Sequence, residues 1–300
     1  MRTLKSYFPS RVRLALGRIE RFSIHLAWSV RCATSRRSIL GDGDVVVCMT
    51  SHGSRIRRAH HAIESIARGT LRPSRMILWI DEELEDKPLP HGLRRLQRRG
   101  LEVRYHKDDM GPHMKYFPYV NSISGHRRPL VTADDDKRYS KEWLNGLVEA
   151  YEENDSVISV YFSRRIEFAG DGFAPYVEWP YLDNSRPDHR NAVIGFCGAV
   201  YPPAFLNELQ RRGELFRKTT PRQDDVWLTF VAVTSGFPVR QIRSTPVVPK
   251  TIRGAETLAL RQTNLVSGID SGGNDQQFAE TFGDKPRLLF EQQASRERHN

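Results

Sequence analysis

Residues 129–136 read Pro129-Leu130-Val131-Thr132-Ala133-Asp134-Asp135-Asp136, an apolar run that ends in three consecutive carboxylates. An apolar run of this length is typical of a strand buried on both faces of a sheet. Adjacent carboxylates repel one another unless solvent or a cation offsets the repulsion. A hard divalent ion such as Mg²⁺ or Mn²⁺ takes one or two carboxylates together with phosphate oxygens. The triplet is therefore a candidate metal site, and the alternative is a solvated turn in which Asp136 caps the next helix.

Strand and helix patterns alternate on both sides of this run. Strands are predicted at 44–50, 75–81, 101–105, 129–133 and 156–162, and helices at 55–68, 90–99, 114–124 and 140–152. This alternation predicts an α/β fold with a Rossmann-type mixed, mostly parallel sheet flanked by helices. Ligands of such sheets bind at the carboxyl ends of the strands, where Ser51, Asp81 and the acidic triplet fall.

The second half of the chain is less regular. Residues 166–195 predict a long loop or small antiparallel ribbons, followed by an apolar run at 196–201, helices at 203–212 and 224–235, and a strand at 238–242. From residue 244 the chain is mostly polar, and we expect the last ten residues to fray. We divide the chain into an N-terminal segment (1–40), a catalytic domain (41–243, with halves 44–136 and 137–243) and a C-terminal extension (244–300).

A second acidic pair opens the helix predicted at 224–235. One aspartate there is explained as an N-cap, but Asp224 and Asp225 in succession suggest that one caps while the other points into a cleft. A carboxylate beside a helix N-terminus stays ionised and can take a proton from a hydroxyl.

Lys115 follows a Gly-Pro turn at Gly111-Pro112 and is predicted to lie in the first turn of a helix. A phosphate there could meet both its ammonium and free backbone N–H groups. The alternative is an exposed lysine on a basic protein.

Most of the net charge of +10 lies in residues 1–40, which hold nine Lys and Arg residues against one acid, Glu20. A nucleic-acid surface spread over the folded body is therefore not expected. Apolar residues recur there at steps of three and four and form one helical stripe: Val12, Leu16, Ile19, Phe22, Leu26 and Val30. A basic amphipathic helix over 10–31 is a candidate for peripheral contact with an anionic membrane. The alternative is a helix packed on the catalytic body with its arginines outward.

Cysteine content and hydropathy exclude several classes. Three cysteines (Cys32, Cys48 and Cys197) form neither a disulfide framework nor a four-thiolate zinc site, and they favour a reducing compartment. No stretch approaches the ~18 apolar residues that span a bilayer. We expect a cytoplasmic protein, at the inner face of the membrane if the N-terminal helix binds there.

Taken in order, the motifs resemble the GT-A glycosyltransferases, in particular the bacterial family-2-like enzymes that build surface polysaccharides. They are TSHG (50–53), WID (79–81), GPHMKYFPY (111–119), TADDD (132–136), FCGAVYPP (196–203) and DDVWL (224–228). The resemblance covers roughly residues 44–242. One departure is Asp81-Glu82-Glu83, where family 2 typically has Asp-Asp-Gly-Ser.

The resemblance implies transfer of a sugar from a nucleotide-sugar donor to a hydroxyl of a glycan or lipid-linked acceptor. Asp136 and Asp134 would hold Mn²⁺ or Mg²⁺ at the donor diphosphate. The donor site would be lined by Thr50, Ser51, Asp81, Lys115, Asp134 and Asp135. Asp225, next to Asp224, would deprotonate the acceptor hydroxyl, and Gly198 and Trp227 would line the acceptor site.

A direct displacement with inversion agrees with this chemistry, because a metal neutralises the leaving group while an aspartate activates the incoming hydroxyl. Two alternatives remain open at the level of sequence. One is a metal-dependent phosphoesterase or nuclease, and the other is a non-catalytic, membrane-docked binding protein.

Overall fold

The structure is a computed structural model, and it describes residues 28, 30, 32–252 and 273–297. The chain forms two compact units, Met1–Arg37 and Ser38–Asn300. In the first unit residues 32–34 are helical. The basic amphipathic helix expected over 10–31 falls almost wholly outside the described residues, so its membrane contact stays a prediction.

A seven-stranded mixed sheet forms the centre of the second unit. The described residues of this unit contain eleven strands, seven of which belong to the central sheet. They are β1 (Gly43–Thr50), β2 (Pro73–Asp81), β3 (Leu101–His106), β4 (Leu130–Asp134), β5 (Lys137–Arg138), β6 (Ile158–Phe162), β7 (Phe168–Ala169), β8 (Gly172–Phe173), β9 (Ile194–Tyr201), β10 (Val239–Gln241) and β11 (Lys250–Thr251). The sheet order is β10-β6-β9-β4-β1-β2-β3, while β5 pairs with β11 and β7 with β8. Only β9 runs antiparallel to its neighbours, β4 and β6, among the strands described for this sheet. The predicted mostly parallel α/β sheet is therefore confirmed.

The inner strands are buried on both faces, as their unbroken apolar runs predict. Along β1, Val45, Val47 and Met49 belong to one hydrophobic cluster. Val46 and Cys48 belong to the cluster on the opposite face. Successive side chains of a strand point to opposite sides, so a strand with helices on both faces needs apolar residues at every position.

Helices cover both faces of the sheet. They are α1 (Ile56–Ala67), α2 (His91–Gln97), α3 (Phe117–Ser122), α4 (Trp143–Glu153), α5 (Pro203–Arg212), α6 (Phe216–Thr219), α7 (Asp224–Ser235), α8 (Asn274–Phe282) and α9 (Pro286–Glu297). In α1, for example, Ala59, Ile63 and Ile66 are buried, whereas Arg57 and Arg58 are exposed. No helix among the described residues is both long and apolar enough to cross a bilayer.

The predicted helix over 114–124 is replaced by two short pieces. A 3-10 turn spans Gly111–Lys115, and α3 follows it. Tyr116 between them has φ −132° and ψ −41°, which interrupts the helix, and Pro118 occupies the first turn of α3. Proline lacks a backbone N–H and suits the start of a helix rather than its interior. Lys115 therefore ends a 3-10 turn instead of opening an α-helix.

The C-terminal extension contains more structure than its polarity indicates. Where we expected the last ten residues to fray, α9 continues to Glu297. Phe278 and Phe282 of α8 and Phe290 of α9 are buried in one cluster with Trp179. Three aromatic side chains in such a cluster offset the entropy of ordering these helices. The second unit therefore includes residues 274–297 in its core.

Candidate functional site

The carboxyl ends of β1, β2 and β4 meet at one edge of the sheet. Thr50 is in register with Asp134 on one side and with Trp79 on the other. Thr50 Oγ1 donates a hydrogen bond of 3.1 Å to the Trp79 carbonyl oxygen. The sheet thus brings the ends of the TSHG, WID and TADDD motifs together, where doubly wound folds place their ligands.

The middle carboxylate of the triplet has partners within the chain. Asp135 Oδ2 accepts a 2.5 Å hydrogen bond from Ser51 Oγ, and Oδ1 pairs with the Arg55 guanidinium. Only 4% of Asp135 and 7% of Asp136 are exposed. The alternative of a solvated turn is therefore wrong. The helix-capping alternative is wrong as well, because α4 begins at Trp143 with Glu142 in the N-cap position.

The third carboxylate, Asp136, is less well compensated. Its Oδ2 lies 3.6 Å from Arg55, and its Oδ1 lies 3.4 Å from Lys137 Nζ. Asp136 Oδ1 accepts no hydrogen bond from the part of the chain that the structure describes. Burial raises the pKa of Asp136 and Asp134 raises it further, while Lys137 and Arg55 only partly oppose them. A cation bound here would favour the ionised form of Asp136 against burial and the neighbouring Asp134.

Lys115 joins the first carboxylate of the triplet to the second acidic motif. Its Nζ donates a 3.0 Å hydrogen bond to Asp134 Oδ1 and lies 3.0 Å from Asp224 Oδ2. The second contact is an ion pair without hydrogen-bond geometry. Burial alone would lower the pKa of Lys115, but Asp134, Asp224 and Asp225 outweigh it and raise that pKa well above its ordinary value. Only 7% of Lys115 is exposed, which rules out the exposed-lysine alternative.

Asp225 occupies the start of α7 and faces β9. Its Oδ1 accepts a 2.9 Å hydrogen bond from the Gly195 N–H. A Cβ on residue 195 would lie 3.3 Å from that oxygen, so glycine permits the close approach. Burial, followed by the Asp224 carboxylate, raises the pKa of Asp225 to about 8. The expectation that this carboxylate stays ionised is therefore wrong at neutral pH, where the raised pKa keeps most of it protonated. Part of its surface is open to solvent, so once it is ionised, as the pH approaches 8, it can accept a proton from a bound hydroxyl.

The prediction that one of the two aspartates is the N-cap residue of α7 is wrong. Gln223 is the N-cap residue of α7, and its side chain makes no capping hydrogen bond. Asp224 instead pairs with Lys115, while Asp225 binds the Gly195 N–H. The first aspartate therefore pairs with a buried lysine and does not occupy the N-cap position.

His113 is a site residue that sequence reasoning missed. It is fully buried, and burial lowers its pKa to about 3. Its Nε2 lies 2.6 Å from the Thr220 carbonyl oxygen and its Nδ1 lies 2.7 Å from the Tyr116 hydroxyl. A carbonyl oxygen only accepts, so Nε2 carries the proton and Nδ1 accepts from Tyr116. His113 thereby ties the turn that carries Lys115 to the segment that precedes Asp224.

Arg55 and Gly195 were also missed, for different reasons. One arginine among 46 basic residues carries no local signal that it will pair with Asp135. Gly195 did leave a signal, because a glycine inside an apolar strand often marks a close approach.

The remaining predicted residues have the following surroundings. Burial and the neighbouring Asp109 raise the pKa of Asp81 at the end of β2, and His52 lowers it.

Gly198 is buried in β9 with φ +114°, where a Cβ would lie 2.5 Å from Trp143 Nε1. Trp227 is 3% exposed and packs in the hydrophobic core. The structure gives Gly198 and Trp227 a packing role, and their acceptor role stays a prediction.

The donor set fits a metal ion only in part. Within the described residues, no three His, Cys, Asp or Glu side chains converge as a ligand set. Asp135 is engaged by Ser51 and Arg55, and Asp134 by Lys115. The oxygen of Asp136 that lacks a hydrogen-bond partner is suited to an ion whose other ligands come mainly from a bound molecule.

Comparison with known proteins defines the class by fold. No protein-family model matches the sequence, and no curated protein matches it. The chain is similar in structure to GalNAc-T7 with UDP, GalNAc and Mn²⁺ at 12% identity and a TM-score of 0.51. The alignment covers 83% of this chain and 55% of GalNAc-T7. At this identity the likeness establishes the fold alone, which is a GT-A-like α/β fold.

Two further structures align with lower scores. A mannosyltransferase from Pyrobaculum calidifontis in complex with GDP-Man and Mn²⁺ is 11% identical, with a TM-score of 0.48, and 94% of this chain and 79% of that chain are covered. The 4-diphosphocytidyl-2C-methyl-D-erythritol synthase from Anaerococcus prevotii is 12% identical, with a TM-score of 0.45, and 69% of this chain and 90% of that chain are covered.

Proposed function

We propose that this chain is a glycosyltransferase that moves a sugar from a nucleotide-sugar donor to the hydroxyl of a glycan or lipid-linked acceptor. The observation that carries the proposal is Lys115, which lies 3.0 Å from both Asp134 and Asp224. It unites the acidic edge of β4 and the acidic start of α7 in one site. The fold is compatible with this activity, and the order of the motifs resembles the bacterial family-2-like enzymes of polysaccharide synthesis.

The donor side of the proposed site is the edge formed by Thr50, Ser51, Asp81 and the triplet. Asp136, with Asp134 beside it, would hold Mn²⁺ or Mg²⁺. When bound, the ion supplies positive charge against the diphosphate that leaves the sugar. Arg55 fixes Asp135 and approaches Asp136, so the protein itself orients this edge.

Asp225 is the proposed general base. The acceptor oxygen forms a bond to the anomeric carbon of the donor sugar while the bond from that carbon to the diphosphate oxygen breaks. The hydroxyl proton passes to Asp225, whose Oδ1 is held by the Gly195 N–H. Attack opposite the leaving group inverts the anomeric centre.

A thermal-shift screen of UDP-, GDP-, CMP- and dTDP-sugars, with and without Mn²⁺, tests the proposal. A ligand that binds only the folded state raises the melting temperature, and we expect one donor class to do so with Mn²⁺ present. Asp225→Asn should keep that shift and lose transfer by a factor of about 10²–10⁴, the usual contribution of a general base.

Full transfer by Asp225→Asn would remove only the assignment of Asp225 as the general base. Two results would contradict the proposal as a whole: the absence of a shift with any donor, and hydrolysis of nucleic acid without a sugar acceptor. The last result would indicate the phosphoesterase or nuclease alternative. A cytoplasmic location, membrane contact through residues 10–31 and the absence of a nucleic-acid partner remain parts of the same proposal.

A further inference from the structure

Arg164 fastens the segment 176–181 to the end of β6. Its Nη1 donates to the carbonyl oxygens of Tyr176 (3.0 Å), Val177 (3.1 Å) and Trp179 (3.1 Å). Its Nη2 donates to the Tyr181 hydroxyl at 3.1 Å. The guanidinium carbon also lies 5.3 Å from the ring centroid of Tyr176 and 4.5 Å from that of Tyr181. One side chain thus fixes both tyrosine rings and the backbone between them.

Tyr181 is fixed in this way although it is 58% exposed. A further contact restricts its motion, because the Phe162 ring meets it edge to face at a centroid distance of 5.4 Å. The backbone N–H of Leu182 also donates to the Ser163 carbonyl oxygen at 3.3 Å. An exposed side chain that is already ordered loses little entropy when a ligand covers it. This combination is typical of a binding surface.

A series of side-chain contacts connects Tyr181 to the acidic triplet. Phe162 contacts Phe196 at a centroid distance of 4.9 Å, and both rings are partly exposed. Lys137 Nζ lies 5.8 Å from the Phe196 centroid and 3.4 Å from Asp136 Oδ1. The exposed tyrosine is therefore connected by direct contacts to the proposed donor edge.

Tyr176 extends the same surface toward Asp225. The Tyr176 ring packs against the hydrophobic cluster that contains Ile194 and Val226, the neighbours of Gly195 and Asp225 in sequence. Burial raises the pKa of the Tyr176 hydroxyl, and the Asp225 carboxylate adds to the rise. The Tyr176 backbone N–H donates a 2.7 Å hydrogen bond to Asp275 Oδ1 of α8. The C-terminal extension thus supports the backbone that carries the Tyr176 ring.

We propose that Tyr176, Tyr181, Phe162 and Phe196 form an aromatic platform that binds a pyranose ring of a carbohydrate acceptor, with Tyr181 as its outer contact. This inference rests on the proposed function. A pyranose has apolar C–H faces and hydroxyls around its edge. The platform has matching chemistry, because its exposed and partly exposed rings lie beside the polar groups of Arg164 and Lys137. A lipid chain would require a continuous apolar groove instead.

The test is a printed array of pyranoside oligosaccharides probed with the full chain in the presence of Mn²⁺ and UDP or GDP. The variants are Tyr181→Ala, Tyr181→Phe and, as a matched control, Leu215→Ala, which truncates another side chain that is 50% exposed. We expect Tyr181→Ala to weaken glycan binding at least about tenfold, or about 1.4 kcal/mol. Tyr181→Phe, which keeps the ring, and Leu215→Ala should bind within about twofold of the wild type.

Two outcomes would overturn the platform: Tyr181→Ala binding glycans like the wild type, and no glycan binding by the wild type. The donor thermal shift, measured on the same proteins, separates this failure from that of the proposed function. A donor shift with unchanged glycan binding in Tyr181→Ala removes the platform alone. Ring-dependent glycan binding without any donor shift supports the platform and contradicts the transferase.

Discussion

The ammonium of Lys115 lies 3.0 Å from a carboxylate oxygen of Asp224, a residue from the other half of the domain. The same nitrogen donates to Asp134 at 3.0 Å. Because Lys115 and Asp224 are buried and Asp134 is only partly exposed, we expect the lysine to hold both acidic motifs in place.

Replacement of that lysine should therefore be costly. Lys115→Met leaves two carboxylates without their cation, and we expect the free energy of unfolding to fall by about 3–5 kcal/mol. Urea denaturation at pH 7 measures it. The control, Lys218→Met, removes an exposed lysine on α6 and should change stability by less than about 0.5 kcal/mol. Equal stability of the two variants would show that Lys115 does not bridge the motifs.

Asp225 should make the stability depend on pH. Burial, followed by Asp224, raises its pKa in the folded chain to about 8, whereas an unfolded aspartate titrates near 3.9. Between these values the folded chain holds a proton that the unfolded chain lacks, so this group's contribution to stability falls as the pH rises from about 4 to about 8. The wild type should then lose more stability than Asp225→Asn between pH 5 and pH 8.

Denaturant titrations at the two pH values measure the difference. Asp171→Asn, at an exposed aspartate, serves as the control and should follow the wild type. If Asp225→Asn shows the same fall in stability as the wild type, the carboxyl is not protonated in the folded chain. The wild-type kcat/KM for transfer should also rise with pH toward a plateau above about 8, because the base works deprotonated.

Asp136 and Asp135 of the triplet should differ in their response to substitution. Asp136→Asn should weaken Mn²⁺ binding in the presence of UDP or GDP by more than about tenfold, or ~1.4 kcal/mol, because it removes the negative charge and one oxygen of a carboxylate whose Oδ1 has no hydrogen-bond partner among the described residues. Asp135→Asn should instead lower stability by about 1–3 kcal/mol, because it disturbs the hydrogen bond from Ser51 and the pair with Arg55.

Calorimetric Mn²⁺ titration of both variants, together with urea denaturation, separates these roles. Each variant is the control of the other. A loss of metal binding in Asp135→Asn with none in Asp136→Asn would reverse the assignment.

Gly198 should be required by packing. Gly198→Ala places a Cβ 2.5 Å from Trp143 Nε1 at φ +114°, and we expect a loss of about 2–5 kcal/mol from overpacking and backbone strain. Gly170→Ala is the matched control, because its φ is +63° with no described atom within 4 Å, and it should cost about 1–2 kcal/mol. Thermal denaturation compares them. Equal losses of stability in the two variants would show that the contact with Trp143 adds nothing to the cost of Gly198→Ala.

The parts of the fold that follow from local sequence were predictable. Unbroken apolar runs such as Val45–Met49 and Leu130–Ala133 identify buried strands, since both faces of those strands must be covered. The direction of β9 was not predictable, because its pairing with β4 and β6 is a contact between distant segments. α3 is short because the backbone of Tyr116, just before it, departs from helical angles. The helical periodicity of residues 114–124 gives no sign of this interruption.

The residues of the candidate site fall into the same two groups, those with a local sequence signal and those without one. Three acids after a strand, and two at the start of a helix, are local signals, so Asp134–Asp136 and Asp224-Asp225 could be found from sequence. Arg55, His113 and Arg164 could not, because each acts on a partner from a different element. Their residue types are common in this chain, and no spacing selects one of them.

The order of apolar and acidic residues along the chain determined that a mostly parallel sheet carries carboxylates at one edge, since strand periodicity and strand ends are properties of consecutive residues. Tertiary structure alone decided which cation balances which carboxylate, which aspartate faces Gly195, and which tyrosine stays exposed. Those outcomes depend on distances between segments far apart in sequence, and burial then sets the strength of each charge interaction.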